Sequence, residues 1–454
     1  MAPPTAVVIQ SATQFGKDGV PPHLLFILHL TFRAASHDNR ESLSVLQMNL
    51  TLSNKLNWEL CLEDIARRKV PPLHWAVRHT ALDLIEMLLS SGVDINTVHR
   101  GNTPLVEAAT LGFSDIIARL LSNPHLDMKQ HKQGMRALWK GIENGHPSVV
   151  QGLLCSDNVD ANIVFLYRGE FTTPLTYAVT RHSREMVETL LADRRTDPNF
   201  RYKNTPAPLF GAMRAEYLCL AQRLMSDERF DVTVCCSCGG NPLHHAAETG
   251  CLHILQTLLS DFDIDINAQD ADGFTALIYA AVEGHESIVR ELLSHSLDIN
   301  RRDHRGRTAL WWATNNGHEW AARCLLARSG IRVDAIGEDG STSLHHAVQW
   351  GSATLINLLL AHRDINVNVS DDYGRTPLWW AAYHGNGRAV GYLLHDSGAK
   401  VGIRDRWQQG PLEVAREHGQ YYIWLALRVS MIDVRLFILC AIVVFCLSPT
   451  SGAN

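Results

Sequence analysis

A few short stretches of this chain carry side chains of the types used in metal binding or catalysis. Cys235-Cys236-Ser237-Cys238, with His244 and His245 close behind, offers thiolates and imidazoles, the preferred ligands of zinc. No second Cys-x-x-Cys pair completes a tetrahedral set, so the expectation is a hairpin and no metal. His362-Arg363-Asp364 matches three letters of a kinase catalytic loop, but neither a glycine-rich loop nor an Asp-Phe-Gly accompanies it. Gly385-Asn386-Gly387 follows no strand and does not read as a nucleotide fingerprint. Arg301-Arg302-Asp303-His304-Arg305-Gly306-Arg307 is locally basic. It is interrupted by an acid in a chain of net charge −6, which reads as a solvated loop rather than a nucleic-acid contact. No acid, base and nucleophile converge. The expectation is therefore a protein that is not an enzyme, with no catalytic residues and no cofactor.

The elements that would position these residues are set by a repeat. Gly306-Arg-Thr-Ala-Leu-Trp-Trp-Ala-Thr-Asn-Asn-Gly317 returns as Gly374-Arg-Thr-Pro-Leu-Trp-Trp-Ala-Ala-Tyr-His-Gly385. Leucines in this context stand at Leu73, Leu105, Leu138, Leu175, Leu209, Leu243, Leu277, Leu310, Leu344, Leu378 and Leu412, in steps of 32 to 37 residues. Such a period marks a solenoid, whose units bury their apolar faces against their neighbours. Three residues after each leucine comes alanine or, once, glycine (Gly141), which lets a second helix approach closely. Thr103-Pro104, Thr173-Pro174, Asn241-Pro242 and Thr376-Pro377 read as helix starts. Eight of the eleven units have glycine seven residues after the leucine, suited to the left-handed end of a helix. Leucine pairs such as Leu292-Leu293 mark a second helix, with Leu293 expected between helices of neighbouring units. Segments such as Asp298-Ile-Asn300 close the units in turns.

Helix, glycine, helix and polar hairpin in about 33 residues is the ankyrin pattern, and residues 70–428 resemble the ankyrin family. The resemblance implies an all-α solenoid of about eleven repeats. It also implies that His74, His244 and His345, just after their leucines, bond within the turn. The fourth unit departs most. Its longer step leaves 158–172 as an extended hairpin, and His182 replaces the turn glycine, as Glu216 does in the fifth.

At 100° per residue, the position two after the leucine points away from the inward face. It holds Trp75, Tyr177, His245, Tyr279, Trp312, His346 and Trp380. Tyr279, Trp312, His346 and Trp380 fall in four successive regular units and are the expected partner-binding residues, since exposed aromatic stripes mark partner sites. In ankyrin proteins this side lines the concave groove. The competing reading is that these rings only fill the groove wall. Trp311 and Trp379, one residue earlier, read as core.

Charged residues make up 19% and hydrophobic ones 46%, enough for a continuous core. Ten irregularly placed cysteines without a signal peptide suggest a reducing, cytoplasmic or nuclear setting with free thiols. Residues 1–19 read as a tail. Residues 20–69 read either as a helical cap for the first repeat or as a degenerate F-box. That small module resembles the one that docks on the Skp1 subunit of a ubiquitin ligase. Residues 429–454 form an apolar tail whose core, Leu436–Leu447, is twelve residues or about 18 Å of helix, against ~30 Å of hydrocarbon. It reads as a capping helix lying on the last unit, a poorly ordered chain end or a membrane anchor. The function expected is a non-enzymatic interaction scaffold, either a substrate adaptor of a ubiquitin ligase or a transcriptional co-regulator or scaffold with no ligase link.

Overall fold

The computed structural model describes residues 70–431 apart from 91, 130, 131, 204, 396 and 397. The expectations for 1–69, the F-box or cap included, and for the apolar tail beyond 431 lie outside the described residues. The chain divides into two compact units: one reaches Pro208 and takes in Asp227–Arg229, the other comprises Leu209–Ser226 and the chain from Phe230 on.

Both units are built from the same helix pair, which makes eleven repeats among the described residues. Repeat 1 pairs Pro72–Arg78 with Leu82–Ser90, and repeat 8 pairs Ala309–Asn315 with Glu319–Leu326. Repeat 11 ends the described chain with Pro411–Glu417 and Tyr421–Ser430, two residues into the expected tail. Capping starts the first helices: the hydroxyls of Thr103, Thr308 and Thr376 accept the N–H groups of Val106, Trp311 and Trp379. The turn after each first helix is left-handed in all eleven repeats. Glycine supplies it in eight, while Thr80, His182 and Glu216 hold φ of 53°, 55° and 59°.

Ten of the eleven ruler leucines are buried; Leu412, in the last repeat described, is half-buried. The small residues three further on are all buried. A side chain added at Gly141 would meet the methyls of Val149 and Val150 at 3.2 Å, tighter than ordinary contact, so the glycine suits this close approach. In the second helices Leu292 is wholly buried and Leu293 is 7% exposed. Within each unit, helices of successive repeats stack on one another.

The all-α expectation holds except for one hairpin in the first unit. Strands Phe165–Tyr167 and Glu170–Thr172 pair antiparallel around Arg168-Gly169, both with positive φ. Phe165 stacks on Trp139 at 4.5 Å, and Tyr167 meets Tyr177 edge-on at 5.2 Å. No described helix is long and apolar enough to cross a membrane.

Candidate partner-binding surface

In the second unit, an aspartate organises the hairpin that leads into most first helices. Asp270, Asp303, Asp371 and Asp405 are all buried. The Oδ1 of Asp303 accepts the backbone N–H groups of Arg305 and Arg307, both at 2.9 Å. Asp371 does the same for Tyr373 and Arg375 at 2.9 and 2.8 Å. This leaves Oδ2 facing the helix. There the ring nine residues on donates to it: Tyr279 to Asp270 at 2.7 Å, Trp312 to Asp303 at 3.0 Å and Trp380 to Asp371 at 3.1 Å. Burial and Asp270 together raise the pKa of the Tyr279 hydroxyl, so it stays a donor. Arg307 and Arg375 complete the arrangement. Each pairs with its aspartate, at 2.8 and 2.7 Å, and lies over its tryptophan, at 4.2 and 5.2 Å. Repeat 11 has Val414 at the ring position, and Oδ2 of Asp405 is accordingly buried without a hydrogen-bond partner.

Repeats 9 and 6 vary the theme. In repeat 9, Gly337 stands in the aspartate's place. His346 Nε2 instead meets the Ser341 hydroxyl at 2.9 Å, which donates to Asp339 at 2.6 Å. In repeat 6 the position belongs to Cys236, nine residues before His245. Cys236 is disulfide-bonded to Cys238, which corrects the expectation of free thiols throughout: the tight turn holds their Cα atoms 5.3 Å apart. His244 is structural, but it reaches beyond its own turn. Its Nδ1 accepts the N–H of Asn241 at 3.1 Å, and its Nε2 contacts carbonyls of Ala268 and Phe274 in the next hairpin at 3.0 and 3.1 Å.

The expected partner-binding residues therefore divide. Tyr279, Trp312 and Trp380 are half-buried. His346 is only 5% exposed and packs edge-on against Trp311 at 4.4 Å, so it is not a surface group. Trp75, Tyr177 and His245 are likewise buried. Helix geometry puts this position outside the helix pair, but the hairpin before each helix folds back over it. Trp311 and Trp379 are core, as expected, and Trp311 donates to the Ser341 carbonyl at 3.2 Å.

The sequence scan matches ankyrin repeats (three copies per match) at 73–165, 175–270, 209–303, 256–337, 298–371 and 332–405. The chain belongs to the ankyrin-repeat family. A similar ankyrin repeat protein of fowlpox virus (strain NVSL) is 27% identical over 199 residues, covering 32% of this chain. The chain spans about a third of that relative's length, 34%. Among solved structures, one chain of the Bd0816 predatory endopeptidase from Bdellovibrio bacteriovorus in complex with immunity protein Bd3460 is 31% identical. It covers 42% of this chain and 98% of its own, with a TM-score of 0.39. Ankyrin-repeat proteins are in general non-enzymatic interaction scaffolds, and the repeats of this chain indicate a protein–protein interaction scaffold.

On ankyrin repeats 10 and 11 the structure also exposes aromatics that the sequence reading missed. Tyr373 and Trp407 are 44% and 63% exposed and stack at 5.9 Å with planes 12° apart. Each sits at a hairpin tip two residues after the organising aspartate. That offset, an aromatic in Asp-x-aromatic, was the signal available. Arg375 lies 4.6 Å from the Tyr373 ring, which joins this pair to Trp380.

Proposed function

We propose that repeats 7 to 11 bind a partner protein through the rings of Tyr279, Trp312 and Trp380 together with the hairpin-tip pair Tyr373 and Trp407. The observation that carries this reading is the exposed stack of Tyr373 on Trp407 beside rings locked by Asp303 and Asp371. Rings held in one rotamer before binding lose little entropy on binding, which is the condition for an aromatic hot spot. With stacked helices about 8–10 Å apart, the three steps from Tyr279 to Trp380 span roughly 25–30 Å, which suits an extended peptide or a helix of about five turns. A photoreactive phenylalanine analogue at position 373 or 407 should crosslink the partner, while the same analogue at Trp320, exposed on a second helix, should not. Equal crosslinking from all three positions would remove the surface assignment.

The finer role is a substrate adaptor of a ubiquitin ligase, supported by the order of apolar segments Val20–Leu28, Leu43–Leu46 and Leu56–Leu62. In that reading Skp1 binds through residues 20–69. Skp1 should co-purify with the chain and be lost on deleting residues 20–61; failure to co-purify favours a transcriptional co-regulator or scaffold with no ligase link. The setting proposed for either role is the cytoplasm or nucleus.

A further inference from the structure

The repeat's own register assembles three soft ligands in repeat 6. In repeats 7, 8 and 10, the residue that opens the hairpin and the ring nine residues later face each other, as Asp303 and Trp312 do at 3.0 Å. In repeat 6 those two positions are Cys236 and His245, and the hairpin keeps its form: Cys236 N–H donates to the Gly240 carbonyl at 2.8 Å, as Asp303 N–H does to that of Arg307 at 2.9 Å. A sulfur therefore stands where repeats 7, 8 and 10 carry a carboxylate, with an imidazole nitrogen within 4.8 Å of it. Cys238 adds a second sulfur. The ligand atoms of Cys236, Cys238 and His245 all lie within 4.8 Å of one another.

Two further observations point to a ligand. His245 is only 6% exposed, and its Nε2 is buried with no hydrogen-bond partner. Its Nδ1 lies 3.0 Å from the Glu248 carboxylate. With Nδ1–H donated to Glu248, Nε2 carries a lone pair and no proton, the tautomer in which metal-bound histidines are held by an outer carboxylate. Gly240 supplies the room. A Cβ there would sit 3.4 and 3.5 Å from the sulfurs of Cys236 and Cys238.

We propose that, once the Cys236–Cys238 disulfide is reduced, Cys236, Cys238 and His245 bind one zinc ion. Two thiolates and a neutral imidazole suit a borderline-soft d¹⁰ cation and leave its fourth position to water. Zinc bonds of about 2.3 Å to sulfur put tetrahedral ligands about 3.8 Å apart, so the three groups need move only modestly from their present spacing. Disulfide and metal site are alternative states of the same sulfurs. Reduction by a phosphine takes up one water: the phosphine becomes its oxide, the S–S bond breaks, and two thiols form. Zinc then displaces the two thiol protons. This departs from the expectation of no metal, which rested on the want of a second Cys-x-x-Cys pair to complete a tetrahedral set.

The test uses the full chain, reduced with a phosphine and dialysed against zinc, with metal counted after gel filtration. One zinc per chain is expected, and none in the oxidised chain. Cobalt in its place should show tetrahedral bands with thiolate charge transfer. Cys238→Ser, at an exposed position that leaves the fold intact, and His245→Asn should each weaken zinc binding at least tenfold. Glu248→Gln should weaken it roughly 10-fold or more through the outer-shell bond. Cys235→Ser should bind like the native chain. Absence of zinc from the reduced chain, undiminished binding in Cys238→Ser or His245→Asn, or loss in Cys235→Ser equal to that in Cys238→Ser would each overturn the proposal.

Discussion

Asp334 stands where other repeats carry asparagine. In those repeats the asparagine staples its hairpin to the next. Asn300 donates Nδ2–H to the Gly330 carbonyl at 2.8 Å while its Oδ1 accepts the Arg332 N–H at 2.7 Å. Asn96, Asn162 and Asn368 repeat both bonds. Asp334 accepts the Asn366 N–H at 2.8 Å but has no donor to offer, and its Oδ1 is buried without a partner. Burial raises its pKa, a sign that the charge is uncomfortable there. Asp334→Asn should place a donor on the Asp364 carbonyl and raise stability by about 1 kcal/mol at neutral pH, read from the urea midpoint. A lower midpoint would contradict the staple. His345 sets an acid limit in the same way. Its Nδ1 accepts the Thr342 N–H at 3.1 Å and its Nε2 meets the Arg375 carbonyl of the next repeat at 3.0 Å, so the buried ring must be neutral. Burial pushes its pKa down to about 4. The unfolded imidazole titrates near 6.5, so the stability present above that pH is lost as the pH falls toward 4, by about 3 kcal/mol at most. His244 and His346 shift in the same direction, also through burial. The unfolding midpoint should fall from pH 7 to pH 5, with a shallower fall in His345→Gln; equal slopes would count against this account.

At the scale of the helix pair, what was legible in the sequence was local. Thr376-Pro377, Leu378, Ala381 and Gly385 act within one turn or one contact of themselves, and the structure uses each as read. What escaped was the bond from Asp371 to Trp380. It spans nine residues and depends on the hairpin bending back over the helix, which neither a period of 3.6 nor a period of 2 encodes. For the same reason helix periodicity alone does not foretell that Trp312 is half-buried, His346 buried and Trp407 exposed. Glu216 shows an element under strain. It holds φ of 59° where eight other repeats use glycine. A left-handed non-glycine residue costs about 1–2 kcal/mol, and glycine's extra unfolded-state entropy returns about 0.5–1 of that. Glu216→Gly should therefore raise the melting temperature slightly, by about 1 kcal/mol of stability or less; a lower one would show that the side chain contributes more than the backbone loses. Leu292, wholly buried in the second helix of repeat 7, should cost roughly 2–5 kcal/mol as Leu292→Ala. The loss should appear as amide exchange opening in repeats 7 and 8, because repeats couple to their neighbours. Even loss from Leu243 to Leu378 would contradict that coupling.

Across the molecule, the ankyrin repeats of the second unit present a braced aromatic surface. Bracing also changes what a mutation reports. Trp312→Ala removes the donor to buried Asp303 and should cost about 1–3 kcal/mol of stability, contrary to a purely outward ring. Tyr373 and Trp407 are exposed tips, and their removal should cost little. The most direct measurement is thus the affinity of the crosslinked partner for the Tyr373→Ala, Trp407→Ala chain, taken beside its melting temperature. The account predicts affinity weakened by roughly 2–4 kcal/mol with the melting temperature nearly unchanged. Native affinity in that double variant would contradict it.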